Sequence, residues 1–138
     1  MKRSPEAIFT DWVIDLAHVN DWRVAHFHAV RAPSGRTITP VFADGKGWPD
    51  LVLVRERVIY AELKARYQKG KLRPEQAEWL ERLRLAGAEA YLWEPRDKPE
   101  IEDVLRVTGR YYRLLDACDG NREQAMGVMR MAGQERHE

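Results

Sequence analysis

The segment that decides the fold is Asp50–Lys64, which has the sequence DLVLVRERVIYAELK. Two runs of apolar, β-branched and aromatic residues flank the charged residues 55–57, a pattern typical of a β-hairpin with a short turn. If the turn is centred on Glu56, antiparallel pairing places Asp50 opposite Glu62, because each lies six residues from Glu56. The hairpin therefore predicts two carboxylates that face each other at its open end.

Opposed carboxylates at this position indicate a site for a hard cation. Directly opposed residues in a sheet have Cβ atoms about 4.5 to 5.5 Å apart, so like charges there destabilise the sheet unless a cation or a proton offsets them. Mg²⁺ keeps several of its waters, needs only one or two carboxylates from the protein, and lowers the pKa of a bound water. Asp50 and Glu62 are therefore candidate metal ligands.

Lys64 adds a cation to the same face of the strand. It lies two residues after Glu62, and side chains two residues apart in a strand point the same way. A lysine beside a metal can orient or deprotonate an attacking water, or neutralise charge in the transition state. This combination predicts metal-assisted phosphodiester hydrolysis. The alternative is a surface ion pair between Glu62 and Lys64, with Asp50 serving only as a turn residue.

The rest of the chain alternates helical and extended patterns around this hairpin. Ser4 before Pro5 is typical of a helix N-cap followed by proline at the first helical position. The order helix, strand, hairpin, helix, strand, helix predicts an α/β fold with a mixed sheet. The loop at 31–48 is rich in glycine and proline, and we expect it to face the substrate. The expected elements are helix Pro5–Val19, strand Trp22–Val30, loop Arg31–Trp48, strands Leu51–Val54 and Val58–Lys64, loop Ala65–Arg73, a helix from Pro74 to Gly87, strand Glu89–Trp93 and helix Pro99–Val107.

Composition limits the classes of function. With 138 residues, 44% hydrophobic and 33% charged, the chain has the size of one domain and enough apolar residues for a core. The net charge of +1 means that any contact with a polyanion depends on local clusters of basic residues. The single cysteine, Cys118, excludes an internal disulfide and a zinc site with paired thiolates, and it indicates a reducing compartment. With no long apolar segment and no phosphate-binding glycine loop, we expect a cytoplasmic protein without membrane contact or organic cofactor.

Three short motifs in this order are specific: Gly47-Trp48-Pro49-Asp50, then Glu62-Leu63-Lys64, then Gln76 within Leu72–Leu80. Together they resemble the PD-(D/E)xK nuclease superfamily, and specifically its VRR-NUC family. The resemblance covers residues 4–107, about three quarters of the chain. In its size as a stand-alone domain, the chain looks like the phage-encoded members of that family.

The resemblance implies a restriction-endonuclease-like core of the Holliday-junction-resolvase type, with element order αβββαβ. It implies a nuclease that acts on DNA and depends on Mg²⁺, for which Mn²⁺ would substitute. Asp50, Glu62 and the backbone carbonyl of Leu63 would be the metal ligands, and Lys64 would be the catalytic lysine. A phage-encoded member would act in the host cytoplasm.

Two further residues have supporting catalytic roles in the same resemblance, Gln76 and Glu6. Gln76 shares a helical face with Trp79 and Leu80, so its amide is aimed into an apolar interface where it needs a partner. Glu6 lies three residues before Phe9 on the inward stripe of the first helix, although a glutamate in a first turn also favours the helix dipole without any function.

Basic residues are concentrated on both sides of the proposed metal site. No acid interrupts the segment 64–73, and further basic residues occur in the long loop before Asp50. Phosphate contacts from such a rim would supply sequence-independent affinity for DNA, whereas the alternative is an ordinary solvated loop. His26 and His28 are expected to be satisfied or site-adjacent histidines rather than a metal pair. The candidate nucleic-acid-binding residues are Arg31, Lys46, Arg66, Lys69, Lys71 and Arg73, with Arg36 beside them.

Residues 108–138 follow the expected nuclease domain, 1–107, as a C-terminal extension with one or two helices. Its apolar and Met-rich positions are most simply a packing or dimer surface. Cutting both strands of a junction symmetrically needs two active sites, so we expect a homodimer that acts on branched or junction DNA. The alternatives are a nucleic-acid-binding module of the same fold, inactive or dependent on a partner, and a protein-interaction domain that uses the extension.

Overall fold

The computed structural model describes residues 2–65 and 72–117. The chain divides after Arg106 into two units, one residue before the boundary expected from the sequence, and every strand within the described residues belongs to the first unit. The helices are α1 (Pro5–Val19), α2 (Pro74–Leu85), α3 (Lys98–Leu105) and, in the second unit, α4 (Gly109–Ala117), with a 3₁₀ turn at Pro95–Asp97. The strands are β1 (Arg23–His26), β2 (Val30–Arg31), β3 (Thr37–Ile38), β4 (Leu51–Val54), β5 (Val58–Leu63) and β6 (Glu89–Trp93).

A four-stranded mixed sheet in the order β1–β4–β5–β6 confirms the expected α/β fold with a mixed sheet. β4 is antiparallel to β1 and β5, whereas β5 and β6 are parallel. The β4–β5 hairpin has the predicted register, since Leu51 pairs with Ala61 and Val54 with Val58, symmetrically about Glu56. The beginning of β4 and the ends of β5 and β6 therefore meet at one side of the sheet, which we call the open edge.

Helices cover both faces of this sheet. α1 packs on β1 and β5 and against α3, and α2 packs on β6. Phe9 and Val13 of α1 are buried in one cluster with Ile59 and Leu63 of β5. Because side chains alternate along a strand, Glu62 points to the opposite face, where α2 lies. β5 thus contributes apolar side chains to the core on one face of the sheet and the buried carboxylate of Glu62 on the other face.

α1 has the bounds and the start that the sequence predicts. Ser4 is its N-cap, and the Ser4 hydroxyl accepts a hydrogen bond from the Ala7 N–H at 3.1 Å. Pro5 occupies the first turn, where its missing N–H has no helical partner to lose. Local capping chemistry is sufficient to place this helix.

The strand predicted over Trp22–Val30 is wrong in its length, and so is the uninterrupted loop predicted over Arg31–Trp48. β1 ends at His26, after which the N–H of Phe27 donates to the carbonyl of Asp50 at 2.8 Å. β2 pairs instead with β3 in a separate two-stranded antiparallel ribbon, because the turn between them reverses the chain. Pairing with a neighbour, rather than β propensity alone, decides where each strand ends.

Two of the three side chains of the charged turn 55–57 are buried. The side chains of Arg55 and Glu56 are each 2% exposed, and both Arg55 and Arg57 pair with Glu56. The Arg55 guanidinium lies 4.3 Å from the centre of the Trp22 ring and donates to the carbonyl of Leu105, at the end of α3, at 3.1 Å. We call these five residues the turn cluster.

The remaining boundaries are close to those expected. α3 begins one residue before the predicted Pro99 and ends two residues before the predicted Val107. α4 is one helix of the extension, whereas Cys118 and the Met-rich segment lie outside the described residues. Of the helices in the described ranges, none is both long enough and apolar enough to cross a membrane.

Candidate active site

The open edge brings the two predicted carboxylates together. Asp50 directly precedes β4, and Glu62 is the next-to-last residue of β5. The pairing of Leu51 with Ala61 therefore places them side by side on neighbouring strands. Oδ2 of Asp50 accepts a hydrogen bond from the N–H of Leu63 at 2.8 Å. Glu62 is only 2% exposed, so at least one of the two charges lies away from bulk water.

Burial and mutual repulsion change the pKa of both carboxyl groups. Burial first, and then the charge of Asp50, raise the pKa of Glu62 to about 8. Burial also raises the pKa of Asp50, against the lowering effect of the Leu63 hydrogen bond. Near neutral pH a proton or a cation must therefore offset one of the two charges. Carboxylates perturbed in this way are concentrated at functional sites in proteins.

Gln76 of α2 forms hydrogen bonds with both Glu62, which lies in β5, and Lys64, which directly follows β5. Its Nε2 donates to Oε1 of Glu62 at 2.6 Å, and its Oε1 accepts from Nζ of Lys64 at 3.0 Å. Nζ of Lys64 itself lies 3.6 Å from Oε1 of Glu62. The same Gln76 oxygen accepts from the N–H of Arg73 at 3.0 Å, so the amide also satisfies the start of α2, where Arg73 is a poor cap. Three hydrogen bonds fix which way the amide points.

The loop that leads into Asp50 is locked against α2. Gly47 has a φ of +85°, and a Cβ at this position would lie 2.5 Å from the carbonyl carbon of Glu75. Only glycine fits both the conformation and the close approach. The Trp79 indole N–H also donates to two backbone carbonyls of this loop at 3.1 Å each. The sequence motif included Gly47, but only the structure shows that it sets the distance between Asp50 and the helix that carries Gln76.

Two residues from other elements act on Asp50. Burial dominates the pKa of Asp50, but the charge of Glu6 raises it further, and His26 opposes that effect. The inward position predicted for Glu6 is wrong: Glu6 is exposed, because the buried stripe of α1 begins only at Phe9. His26 makes an edge-to-face contact with His28, with ring centres 5.2 Å apart.

The structure describes three of the six candidate nucleic-acid-binding residues. Lys46 forms an ion pair with Glu75 at 3.1 Å, and Arg73 is the exposed N-cap of α2. Nε of Arg31 donates weakly to the carbonyl of Gly35 at 3.5 Å. The candidates outside the described residues are Arg66, Lys69 and Lys71.

One further acid near the open edge was not singled out by the sequence. Glu94 follows β6 and is fully buried. The N–H of Lys64 donates to the carbonyl of Trp93 at 2.9 Å, so Glu94 flanks the end of β5. Nε of Arg96 lies 3.3 Å from Oε2 of Glu94. A glutamate between a strand and a proline carries no sequence signal of burial, which is why it was missed.

The donor set at the open edge fits a hard divalent cation. Two carboxylates, with the backbone carbonyl of Leu63 and water, are the oxygen ligands that Mg²⁺ accepts. Oδ1 of Asp50 receives no hydrogen bond from any described residue. No group of three or more His, Cys, Asp and Glu side chains suited to a metal occurs within residues 2–65 and 72–117. What the open edge offers to a cation is therefore, among the described residues, a pair of carboxylates and not a larger cluster of such side chains.

Comparison with protein-family models and with curated proteins finds no match for this chain. A functional proposal therefore depends on the chemistry of the open edge.

Proposed function

We propose that the protein is a metal-dependent deoxyribonuclease with a restriction-endonuclease-like core, which hydrolyses phosphodiester bonds in DNA. The observation that carries the proposal is the pairing of Asp50 and Glu62 at the open edge, with the pKa of Glu62 raised to about 8. Crowding two buried acids destabilises a fold unless their charge is offset. A sheet that retains such a pair is expected to use it for a cation.

Each polar residue of the open edge has a role in this proposal. Asp50, Glu62 and the Leu63 carbonyl would hold Mg²⁺ or Mn²⁺, which would supply Lewis-acid activation of water and charge neutralisation at the phosphoryl oxygens. Lys64, 3.6 Å from Glu62, orients or deprotonates the attacking water. Gln76 holds the lysine ammonium and the glutamate carboxylate at a constant separation through its two side-chain hydrogen bonds.

The order of elements supports the same proposal. When the β2–β3 ribbon is set aside, the first unit has the order α1, β1, β4, β5, α2, β6, followed by α3. This is the αβββαβ order that the resemblance to VRR-NUC nucleases implies. The proposed catalytic residues lie at the beginning of β4, at the end of β5 and in α2, all at one edge.

Plasmid cleavage tests the proposal directly. Purified protein is incubated with supercoiled plasmid in the presence of Mg²⁺, of Mn²⁺, or of a chelator. We expect nicked and linear products with either metal and none with the chelator. DNA binding without cleavage under every condition would contradict the nuclease and favour a binding module that is inactive or requires a partner.

For the substrate and the assembly, we propose branched or junction DNA and a homodimer. Two symmetric cuts require two sites, and a two-fold dimer is the simplest source of them. Light scattering should give a mass near twice 16.1 kDa, and deletion of residues 121–138 should weaken junction cutting more than nicking of a simple duplex. A mass of one chain with junction cleavage intact would contradict the dimer and leave the metal site unaffected.

A further inference from the structure

The β2–β3 ribbon begins beside the open edge. β1 ends at His26, which pairs with Leu51, the residue after Asp50. The N–H of Phe27 then donates to the carbonyl of Asp50 at 2.8 Å, so the chain that leaves for the ribbon is attached to the residue proposed to bind metal. Three residues later β2 begins. The ribbon therefore begins next to the position at which a phosphodiester would bind.

The segment that contains the ribbon has an unusual charge distribution for this chain. Between Asp21 and Asp44 there is no carboxylate, although the segment carries three arginines and two histidines. Arg31 and Arg36, on the ribbon and its turn, are exposed, and neither pairs with a carboxylate among the described residues. Elsewhere, exposed arginines of the described chain often pair with acids. Examples are Arg3 with Asp11, Arg82 with Glu78 and Arg106 with Asp103.

The ribbon also exposes apolar side chains. Val30 and Ile38 are directly paired, so they share one face of the ribbon, and they are 44% and 47% exposed. Arg31 pairs with Thr37 on the other face. A positively charged ribbon with one apolar face has the composition of a surface that contacts phosphates and reaches base edges or sugars between them.

We propose that the β2–β3 ribbon enters a groove of double-stranded DNA next to the cleaved bond, with Arg31 and Arg36 on backbone phosphates and the Val30–Ile38 pair against the groove. A two-stranded β-ribbon has the width that the major groove of B-form DNA admits. Residues 22–43 have no carboxylate that would repel the phosphate backbone, and their arginines complement its charge. This inference rests on the proposed function only for the class of ligand, and it names the part of the substrate that the ribbon holds.

The test measures binding separately from cleavage. Asp50→Asn protein, in chelator, is titrated against a short fluorescent DNA duplex of mixed sequence and against one of its strands alone, over a range of salt concentrations. In that background the test variant is Arg31→Gln with Arg36→Gln. The matched control is Arg3→Gln with Arg106→Gln, which changes the net charge equally but removes arginines that already have acidic partners.

For the test variant we expect duplex affinity to fall about tenfold or more, and the slope of log affinity against log salt to decrease by about 1.8, the value for two lost phosphate contacts. The control should change neither. Val30→Thr with Ile38→Thr keeps the branched strand residues and should weaken duplex binding at an unchanged salt slope, because an apolar contact releases no counterions.

Any of three results with the arginine variant and its control would overturn the inference. They are an unchanged salt slope in the arginine variant, an equal loss in the control, and an equal loss for single strand and duplex. Unchanged affinity in the Val30 and Ile38 variant would overturn insertion into the groove. Failure of the nuclease proposal is distinguishable, because it would appear as absence of metal-dependent cleavage by the unmodified chain while the binding measurements keep their outcome.

Discussion

The buried carboxylates at the two ends of the β4–β5 hairpin have pKa values that are shifted in opposite directions. At the open edge, burial and the charge of Asp50 raise the pKa of Glu62 to about 8. At the turn, burial would also raise the pKa of Glu56, but hydrogen bonds from Arg55 and from the backbone, and the charges of Arg55 and Arg57, outweigh it and lower the pKa to about 2. The pKa values of two acids of one hairpin thus lie on opposite sides of the ordinary value for glutamate.

We infer from this contrast that the charges of the turn cluster stabilise the fold, whereas the charges of the open edge serve the proposed activity. The turn cluster places a carboxylate between two guanidiniums, which in turn donate to the carbonyls at the end of α3. It satisfies its charges within the protein. The open edge offers its acids one lysine and one amide, and it leaves a net requirement for a cation or a proton. The first end should matter for folding and the second for activity.

The largest expected effect is on activity at the open edge. Asp50→Asn, and separately Lys64→Ala, should lower plasmid cleavage by at least about a thousandfold, because each removes a group that acts in the chemical step. Binding to DNA should remain nearly unchanged, since phosphate contacts and not the metal hold the backbone. Nicking rates and binding isotherms measured on the same preparations check this. Unmodified cleavage rates in both variants would end the assignment of the site.

The next effect is on stability at the turn. Glu56→Ala should lower the free energy of unfolding by about 3 kcal/mol, because it removes the carboxylate that pairs with the buried Arg55 guanidinium, whereas Arg57 keeps its ion pair with Glu89. Urea unfolding at neutral pH measures this. Glu78→Ala is the matched control, since its ion pair with Arg82 is exposed and contributes at most about 0.5 kcal/mol. Equal losses in the two variants would remove the distinction between the turn cluster and an ordinary surface pair.

Added Mg²⁺ should stabilise the protein by binding at the open edge, and the turn cluster should not contribute to this gain. Mg²⁺ at about one hundred times its dissociation constant should stabilise the protein by about 2.7 kcal/mol, because it binds the folded chain alone. Thermal melts with and without Mg²⁺ should show this gain in the unmodified protein and in Glu56→Ala, and not in Asp50→Asn. A gain that persists in Asp50→Asn would place the metal elsewhere.

The pH dependences are the smallest effects when they are expressed per pH unit, and they have opposite signs. Glu62 binds its proton more tightly when folded, so metal-free stability should fall as pH rises from about 4.5 towards 8. Glu56 binds its proton less tightly when folded, so stability should fall as pH drops from about 4.5 towards 2. Each group contributes at most about 1.4 kcal/mol per pH unit. Denaturation over this pH range measures the free energy of unfolding of each variant. Glu62→Gln should remove the loss of stability above pH 4.5, and Glu56→Gln should remove the loss below it. The same change in both variants would contradict the comparison.

Local chemistry was enough for much of the fold. The cap at Ser4, the proline at the start of α1 and the symmetric turn about Glu56 are short-range features, so the helix bounds and the hairpin register followed from them. Register then placed Asp50 beside Glu62 without further information. The buried position of Gln76 followed from helical periodicity in the same way.

Where long-range contacts decide, sequence patterns failed. The β propensity of residues 22–30 does not show that pairing with β4 stops at His26. The spacing of Glu6 from Phe9 indicated an inward side chain, but whether a first turn is covered depends on what packs beside it. The charged residues at 55–57 give no sign that the end of α3 and Trp22 enclose them.

The sequence by itself determined which residues alternate, cap and turn, and hence the hairpin, its register and the pair of opposed carboxylates. Only the tertiary structure decided the state of each charge. Glu56 and Glu62 are both acids of one hairpin. The pKa of Glu56 is lowered because Trp22 and the end of α3 enclose its neighbouring arginines, whereas the pKa of Glu62 is raised because α2 helps to bury it beside Asp50 and supplies only an amide. Desolvation and Coulomb interaction depend on distances through space, and the sequence of a hairpin specifies only its own short-range part of them.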